Sequence, residues 1–509
     1  MSPAHLVILP ILVPFLAGAL LLALRDLPMP LRRRLDLVAM LLQAGIALAL
    51  LAATSGGDIL VYRLGDWPAP WGIVLVADRL AAWMVLVTTL LALFAAIHAG
   101  DGTDRQGRHF HVLFQMQLMG IAGAFLTGDL FNLFVFFEIL LIASYGLLLH
   151  GGGAARTRAG LHYVVLNLTG STLFLFAAGL IYASLGSLNM ADLAQRAATL
   201  PADNLGLARA GGLLLFVVFG LKAALLPLFL WLPAAYANTS APVAALFAIM
   251  TKVGAYALLR ADTLLFGDLS GALAGLFDPW LRPLALATLV VGMAGALAAE
   301  SLGRLAAWLV VASVGTLLTA FSLGATGIAA GLYYLPHSTF AAAALFLLAE
   351  AMRRRRLASA DFFTPDADLP RHALWGGLFF AAAVAVAGLP PLSGFIGKFL
   401  ILRAAPDRAV VWTVILLTAW MGVIALARAG SRLFFSLKSP DPDAPPLPVF
   451  EPHSAARELV AILGLLGLIL ALTLAAGPAF EFAQDAAMQL TNPAAYIGAV
   501  LGGFSAGAP

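Results

Sequence analysis

Residues 216–233, FVVFGLKAALLPLFLWLP, combine the two features that decide the fold of this chain. The stretch is almost wholly apolar, yet it carries a lysine, Lys222, and two prolines. It belongs to a series of apolar runs, each about as long as a helix that spans a bilayer, roughly twenty residues. Backbone groups in lipid must bond within their own segment, so such runs are helices. Barrel strands would alternate apolar and polar side chains, and these runs do not.

Composition indicates a chain that lies almost entirely in a membrane. Of its 509 residues, 62% are hydrophobic and 11% are charged, whereas soluble proteins have roughly 45–50% and about 25%. These values exclude a water-soluble enzyme, a disordered protein and a coiled coil. The net charge of +3 fits basic inner loops and does not indicate nucleic acid binding. Because cysteine is absent, the chain has no disulfide, thiolate chemistry or cysteine-ligated zinc or iron–sulfur cluster.

The apolar runs predict about fourteen transmembrane helices, at roughly 35 residues for each span with its loop. The first run, 4–24, lacks a basic leader and a cleavage site, so we expect a retained span rather than a signal peptide. The other spans are expected near 36–54, 79–98, 111–127, 130–149, 160–184, 209–231, 242–260, 282–299, 303–323, 328–350, 374–402, 409–429 and 456–477. The tail, 478–509, is either an interfacial segment or the remnant of a further span.

Arginine is concentrated in the loops that follow odd-numbered spans, which predicts that these loops are cytoplasmic and both termini lie outside. The basic residues of these loops are Arg25, Arg32, Arg33, Arg34, Arg105, Arg108, Arg156, Arg158, Arg353, Arg354, Arg355, Arg356, Arg432 and Lys438. We interpret the run Arg353–Arg356 as a topology signal alone.

Lysine has the opposite distribution from arginine. Three of the four lysines, Lys222, Lys252 and Lys398, lie within apolar runs. A buried lysine can lose its proton, whereas arginine cannot, and ionisable groups inside a membrane are candidates for function. Proline and glycine interrupt the seventh and twelfth spans beside Lys222 and Lys398, and paired interruptions point to a transporter with inverted repeats. The alternative is structural lysines that snorkel to an interface.

Two further ionisable residues are expected at membrane depth. Glu138 lies near the middle of the fifth span, either as the partner of a lysine or as a carboxylic acid in helix packing. His337, on the eleventh span, is either a proton relay with Ser338 and Thr339 holding water beside it, or a satisfied core histidine. Other acidic residues stand at expected helix ends, where capping or solvation explains them equally well: Asp129, Glu300 and Glu350.

No motif for a cofactor, nucleotide or metal accompanies these residues. His98, His109 and His111 lie close together in the sequence, but no matching carboxylate or cysteine spacing accompanies them, so metal binding is not expected. Glycines 151–153 lack the Lys-Ser/Thr that completes a phosphate loop, so ATP-driven transport by this chain is not expected. No cage for sodium is visible either. We therefore expect acidic residues other than Glu138 to affect cation selectivity little.

Four segments carry a resemblance to a known family: TGDLFNLFVFFEILLIASYGLL, FGLKAALLPLFLWLP, MTKVGAYALLR and GLPPLSGFIGKF. Together they resemble the antiporter-like subunits shared by respiratory complex I and Mrp-type cation/proton antiporters, over residues 60–430. Within that superfamily the chain is most similar to the D subunits of Mrp-type (Mnh or Pha) Na+/H+ antiporters. The segments that favour this group are WPAPWGIVLVADRLAAWM, YYLPHSTFAAAALFLLA and NPAAYIGAVLG.

The resemblance implies an all-α polytopic fold of about fourteen helices in two inverted five-helix repeats. Helices 4–8 (111–260) would form the first repeat and helices 9–13 (282–429) the second. Segment 1–110 would supply helices 1–3, and 430–509 a cytoplasmic loop, helix 14 and the tail.

The resemblance also implies a role for each buried ionisable residue. Glu138 and Lys222 would form an ion pair, and Lys252 would bridge to the second repeat. His337 would continue the polar axis, and Lys398 would be the terminal site of proton exchange. The sequence departs from complex I at two places, at 341–344, where many relatives carry a lysine, and at 236, where they often carry a histidine.

The implied function is proton translocation in a multisubunit Na+ or K+/proton antiporter of the bacterial inner membrane, without a cofactor in this chain. A larger antiporter-like subunit and several small helical subunits would be its partners. Two alternatives stay open. One is a proton-pumping subunit of a complex I-type NADH dehydrogenase or a membrane-bound hydrogenase. The other is an assembly scaffold whose charged residues no longer have a role in transport.

Overall fold

The computed structural model describes residues 3–356, 359–364, 371–435 and 456–502; Lys438 and the end of the tail, 503–509, lie outside these ranges. Within them the chain forms nineteen α-helices and one two-stranded sheet. The α-helices are α1 Leu9–Ala23, α2 Met29–Ser55, α3 Arg79–Ala99, α4 Phe110–Leu126, α5 Leu130–Leu149, α6 Ala154–Leu185, α7 Met190–Ala198, α8 Ala202–Ala223, α9 Trp231–Asn238, α10 Ala241–Arg260, α11 Asp278–Ala298, α12 Leu302–Phe321, α13 Gly324–Arg355, α14 His372–Ala387, α15 Ser393–Arg403, α16 Ala409–Gly430, α17 Ala456–Leu474, α18 Ala476–Thr491 and α19 Ala494–Leu501.

These helices occupy every transmembrane span that the sequence predicts. Among the described residues, eleven helical segments are long and apolar enough to cross a membrane, and three shorter apolar helices, α1, α4 and α14, fill the remaining positions. The all-α polytopic fold is therefore confirmed. The inverted relation between 111–260 and 282–429, and the division of the chain at those bounds, stay predictions.

Two spans are interrupted at the positions that the prolines indicate. In the seventh span α8 ends at Ala223, and residues 224–230 are irregular before α9 begins. In the twelfth span α14 ends at Ala387, and 388–392 separate it from α15. A proline lacks the N–H of an intrahelical bond and its ring clashes with the preceding turn. Carbonyl groups beside each break therefore take donors from side chains: Leu221 O accepts from Trp231 Nε1 at 3.0 Å, and Ala387 O from Lys398 Nζ at 2.8 Å.

Three helices form the centre of the molecule. The membrane-spanning windows of α10 and α13 are 100% buried within the chain, and that of α12 is 89% buried. By contrast, the windows of α6 and α16 are 39% and 33% buried, and their outward faces carry exposed apolar side chains such as Phe176 and Trp420. The ionisable residues on α10 and α13 are thus shielded from lipid by the surrounding helices.

The remaining elements close the ends of the bundle. Strand β1 (Leu60–Arg63) pairs antiparallel with β2 (Val74–Ala77), with Leu60 opposite Ala77. The tail forms α18 and α19, and α18 packs along α13 and α3. Its Asp485 lies 3.1 Å from Arg79 Nη2. The described part of the tail is therefore integral to the bundle.

The approach of α8 to α10 depends on a glycine. A Cβ atom added at Gly254 of α10 would lie 2.3 Å from the backbone nitrogen of Ala223 and 2.6 Å from the carbonyl carbon of Lys222. Both atoms belong to the backbone and cannot move aside as a flexible side chain would. Gly254 thus sets the distance between the end of α8 and the central helix.

We expect Gly254→Ala to lower the unfolding temperature of the detergent-purified chain by several degrees. Forcing a methyl group into a filled interior costs about 1–3 kcal/mol. The measurement is thermal unfolding followed by size-exclusion chromatography. Gly179→Ala on α6 is the matched control, because a Cβ there meets nothing within 4 Å. Equal unfolding temperatures for the two variants would contradict the argument.

Candidate functional site

Lys222 lies at the C-terminal end of α8, directly before the first break. Its side chain is buried, with 4% of the residue exposed. The ammonium nitrogen Nζ donates to the backbone oxygen of Asn167 at 3.1 Å and to Ser171 Oγ at 3.3 Å, both on α6. It also lies 5.9 Å from the ring centre of Phe137 on α5. Neutral oxygen atoms and an aromatic face therefore surround this lysine.

Glu138 is the neighbour of Phe137, but its carboxylate does not reach Lys222. Among the described ion pairs within 4 Å, none joins these two side chains, and Glu138 Oε1 is buried without a hydrogen-bond partner. The expected Glu138–Lys222 contact is therefore wrong for this conformation, because α6 supplies the acceptors that the ammonium group uses. The two charges interact only through space.

Glu138 lies on the outward side of α5. Val135 and Ile142, one turn before and after it, are 37% and 64% exposed. Glu138 itself is half-buried, and its Oε1 atom is buried. The residue thus lies near the rim of the bundle rather than at its centre, as the helical spacing of three and four residues to Val135 and Ile142 indicates.

Lys252 is at the centre of the bundle on α10 and is completely buried. Its Nζ donates to Ser313 Oγ on α12 at 3.1 Å, and that hydroxyl in turn donates to the backbone oxygen of Val310 at 2.7 Å. No carboxylate within 4 Å pairs with it among the described residues. A neutral hydroxyl is therefore its polar contact.

A small cavity lies beyond Ser313 and connects it with the twelfth span. Its volume is about 30 Å³, and a single water molecule needs roughly 10–15 Å³ on this measure. The polar residues that line it are Ser313, Thr316, Tyr334, His337, Ser338, Lys398 and Thr418. The cavity therefore has room and partners for water between Lys252 and the second break.

His337 and Lys398 meet at that break. His337 Nδ1 lies 2.9 Å from Ser393 Oγ, at the first residue of α15. Lys398 Nζ donates to the backbone oxygen of Ala387 at 2.8 Å and to that of Val386 at 3.5 Å, at the end of α14. The last carbonyl groups of a helix have no intrahelical partner and favour a cation. The interruption of the span therefore creates the binding place for its lysine.

The structure brings three of the five predicted residues together in one group. Lys252, His337 and Lys398 share one continuous region through Ser313 and the cavity, and Lys222 lies at the end of α8, which packs against α10. Glu138 alone stands apart without a direct contact. Asp129 caps α5 by accepting from the backbone nitrogen of Asn132 at 2.8 Å, as the capping interpretation predicts.

The sequence analysis missed the partners of the arginine run. Arg354 lies 2.7 Å from Asp101 and 2.9 Å from Glu458, which ties α13 to the loop after α3 and to α17. Arg353 lies 3.0 Å from Asp361. Interpreting Arg353–Arg356 as a topology signal alone is therefore wrong. The carboxylates are up to 253 positions away in the sequence, so no local pattern reveals them.

The histidines 98, 109 and 111 do not assemble into one site. His109 is exposed and precedes α4, whereas His98 and His111 are buried. His111 instead contacts Asp36 and Asp104. Among the described residues, no group of three or more histidines or carboxylates has a geometry that could hold a metal ion.

Comparisons with known proteins agree on one family. Residues 127–424 match the family described as "NADH:quinone oxidoreductase/Mrp antiporter, TM". The chain is 41% identical to a probable K(+)/H(+) antiporter D subunit of Rhizobium meliloti, over 99% of this chain and 98% of that one. It is 35% identical to the Na(+)/H(+) antiporter D subunit of Bacillus subtilis, over 98% and 99%.

Solved structures show the same relationship. A chain of the Mrp complex from Dietzia sp. DQ12-45-1b superimposes with a TM-score of 0.86 at 28% identity, over 98% of this chain and 100% of that one. A chain of respiratory complex I from Thermus thermophilus does so with a TM-score of 0.74 at 25% identity, over 96% and 100%. The chain thus belongs to the family of transmembrane subunits shared by NADH:quinone oxidoreductases and Mrp antiporters.

Proposed function

We propose that this chain is the proton-translocating D-type subunit of a multisubunit antiporter that exchanges K+ or Na+ for protons. Its relatives of matching length are named as D subunits of K(+)/H(+) and Na(+)/H(+) antiporters. The observation that carries the proposal is a set of three lysines whose polar contacts are all neutral oxygens. Lys222 and Lys252 are buried, and Lys398 is half-buried. In this role the chain is part of a secondary transporter and not an enzyme.

Neutral partners allow these lysines to release a proton. An ammonium group donates to a carbonyl or hydroxyl oxygen, and an uncharged amine keeps two N–H donors for the same contacts. A carboxylate partner would instead hold the ammonium form by charge attraction. Lys222, Lys252 and Lys398 can therefore change protonation without breaking an ion pair.

The positions of these groups suggest an order of proton transfer. The proton passes from Lys222 at the end of α8 to Lys252 on the adjacent α10. Ser313 and the cavity carry it on to His337 and Lys398 at the second break. Histidine suits this place because it both accepts and donates a proton near neutral pH.

Glu138 has a different part in this scheme. It is half-buried on α5 near exposed Val135 and Ile142, and its Oε1 is a buried oxygen atom without a hydrogen-bond partner. We assign Glu138 the control of the protonation state of Lys222, from a position at the boundary with a neighbouring subunit. When the carboxylate approaches the lysine it favours the ammonium form, and when it turns away it favours proton release.

The setting of the chain follows from the same proposal. The complex contains a larger antiporter-like subunit and small helical subunits, and it lies in the bacterial inner membrane. The concentration of arginine in the loops after odd-numbered spans supports an orientation with both termini outside the cytoplasm. Cation passage is assigned to another subunit or to an interface.

A second candidate is the proton-pumping subunit of a redox complex. The family includes NADH:quinone oxidoreductase subunits, and the likeness to the Thermus thermophilus complex I chain favours this alternative. The same buried groups would move protons, with energy from electron transfer in other subunits. Acidification of vesicles by a redox substrate, without a response to Na+ or K+, would support this candidate.

We expect Lys222→Ala to reduce cation-driven collapse of a proton gradient by at least about tenfold, because it removes a proton carrier from the membrane interior. The measurement uses everted vesicles that contain the complete complex, with Na+ and K+ tested separately. Lys222→Arg should be equally inactive, since arginine keeps its proton.

Arg158→Gln serves as the control for this experiment, because that arginine is exposed in the first turns of α6. Assembly of each variant is checked by co-purification of the other subunits. Normal exchange by an assembled Lys222→Ala complex would overturn the assigned role of the lysine. It would favour the scaffold alternative.

Two glycines beside the second break make room for the site. A Cβ atom at Gly394 would lie 2.5 Å from His337 Nε2 and 2.5 Å from the backbone oxygen of Ala385. A Cβ atom at Gly388, where φ is +75°, would lie 3.0 Å from Lys398 Nζ. A side chain at either position would displace a proposed proton carrier.

Accordingly, Gly394→Ala should lower the exchange rate by about tenfold while the complex still assembles, because small displacements of reacting groups cost that much or more. Initial rates of gradient collapse provide the measurement. Gly377→Ala on α14 is the matched control, since a Cβ there meets nothing within 4 Å. If both variants exchange at the wild-type rate, the position of His337 does not matter.

A further inference from the structure

A second group of buried ionisable side chains lies outside the lysine axis, where α2, α4 and the loop after α3 meet. At its centre is His111, the second residue of α4. Its Nδ1 lies 2.8 Å from Asp36 Oδ2 on α2, and its Nε2 lies 3.2 Å from Asp104 Oδ2 in the loop. Arg33 donates to both oxygens of Asp104, at 2.6 and 2.7 Å. The proposed proton path does not include these residues.

The geometry assigns a proton to His111. Each ring nitrogen faces a carboxylate oxygen, and an ionised carboxylate can only accept. A neutral imidazole has one N–H, so one of its nitrogens would direct a lone pair at an anion. Only the imidazolium form donates to both Asp36 and Asp104. The observed arrangement is therefore that of a bound proton.

Asp104 is a fixed anion in this group. Burial alone would raise the pKa of its carboxyl, but the hydrogen bonds from Arg33 and His111 outweigh burial and lower the pKa to about 2. Since Arg33 compensates Asp104, the proton on His111 compensates Asp36. Loss of that proton would leave the buried negative charge of Asp36 without a compensating positive charge, which is costly. Proton binding here is thus linked to the position of α2 against α4.

Hydrogen bonds extend the group further into the membrane. Gln115, one turn beyond His111, donates to Asp36 Oδ1 at 2.7 Å. Gln43, two turns beyond Asp36 on α2, donates to Gln115 Oε1 at 2.9 Å. All of these side chains are buried. A purely local clamp at the membrane surface would not need amides at this depth.

The group is open to one side of the bundle. A cavity of about 320 Å³ reaches Asp36 and His111, and its walls come from α2, the end of α3 and the start of α17. Its other polar side chains are Arg33, Arg34 and Arg457. This volume holds many water molecules. Water, and with it protons, can reach His111 from the face at which α2 begins and α3 ends.

Other titratable groups surround His111 on the neighbouring elements. His150 packs its ring against Phe110 at 5.0 Å between ring centres, and its Nε2 contacts the backbone oxygen of Thr103 at 3.0 Å. Asp101, in the same loop, pairs with Arg354 at 2.7 Å. The charges that face the site are therefore Arg33, Arg34, Asp36, Asp104 and Arg457, with His150 and Asp101 beyond them.

We propose that His111 is a proton-binding site of the exchange cycle, loaded through this cavity. A hydronium ion in the cavity transfers its proton to neutral His111 and leaves a water molecule, and the imidazolium formed donates to Asp36 and Asp104. In the reverse step water takes the proton and Asp36 turns away from the freed lone pair. Since α4 packs against α5 and α10, the site is one helix from Glu138 and Lys252. This inference rests on the proposed exchange function.

The test compares the pH dependence of exchange by the complete complex with that of His111→Gln, which keeps polar atoms but cannot bind the proton. We expect the variant to exchange more slowly than the wild type across the pH range. The deficit should grow with pH and reach at least about tenfold near about pH 9, where free protons are scarce. Asp36→Asn should change the profile in the same direction, because it removes the charge that the bound proton compensates.

His162→Gln on the exposed side of α6 is the matched control and should keep the wild-type profile. Parallel profiles for His111→Gln and the wild type would overturn the proposal. So would failure of both His111→Gln and Asp36→Asn to assemble, because the group would then be a structural clamp. Absence of exchange in the wild type and in His162→Gln alike would instead overturn the proposed function.

Access to the site is tested separately, and the chain suits this test because it has no cysteine. Ala96→Cys lines the cavity, whereas Ala92→Cys, one turn deeper on α3, is completely buried. A membrane-impermeant thiol reagent should label Ala96→Cys from one side of the membrane only and leave Ala92→Cys unlabelled. Equal protection of both cysteines would contradict loading through the cavity.

Discussion

Burial of a lysine in a membrane protein is the constraint on which the rest of this structure depends. Placing a charged side chain in the hydrocarbon core of a membrane costs about 2.5–3.5 kcal/mol of free energy on insertion scales. At Lys398 the chain offsets that cost by interrupting a helix, which leaves the carbonyl oxygens of Val386 and Ala387 free to accept from the ammonium group. The carbonyl groups at the break need a hydrogen-bond donor, and the ammonium group of Lys398 needs acceptors. The broken helix and the lysine therefore stabilise each other.

The small residues around the site follow from the same constraint. Glycine at 388 and 394 lets Lys398 and His337 approach the irregular segment. Ala341 and Ala342 line the cavity on the stretch where the resemblance to complex I leads one to expect a lysine. Methyl groups there leave space that a long side chain would fill. The proposed path from Lys252 to Lys398 therefore relies on room for water rather than on a further charged group.

Spans could be predicted from the sequence because hydropathy and length are local properties, and both broken helices are marked by local prolines. The positions of Lys222, Lys252, His337 and Lys398 at membrane depth follow from the same local signals. Contacts between distant segments could not be predicted. His111 and Asp36 are 75 positions apart, and nothing near His111 in the sequence indicates a carboxylate on α2. The missing Glu138–Lys222 contact has the same origin, since the oxygens of α6 that replace the carboxylate have no sequence signature.

Among the described residues, arginines form ion pairs with carboxylates and lysines do not. This difference separates charges that are fixed from charges that can change with protonation. Arginines at the ends of the helices pair with carboxylates: Arg260 with Asp78 at 2.7 Å and Arg355 with Glu458 at 2.7 Å. Arginine cannot give up its proton, so such pairs hold helices without changing charge. Lys222, Lys252 and Lys398 have neutral partners, so a change in their protonation breaks no ion pair. His111 belongs to both classes, because it is paired with carboxylates as an arginine would be and yet can lose its proton. A residue of that kind makes the contact between two helices depend on protonation. Neither an arginine nor the three lysines of the described residues, whose partners are neutral, can do this.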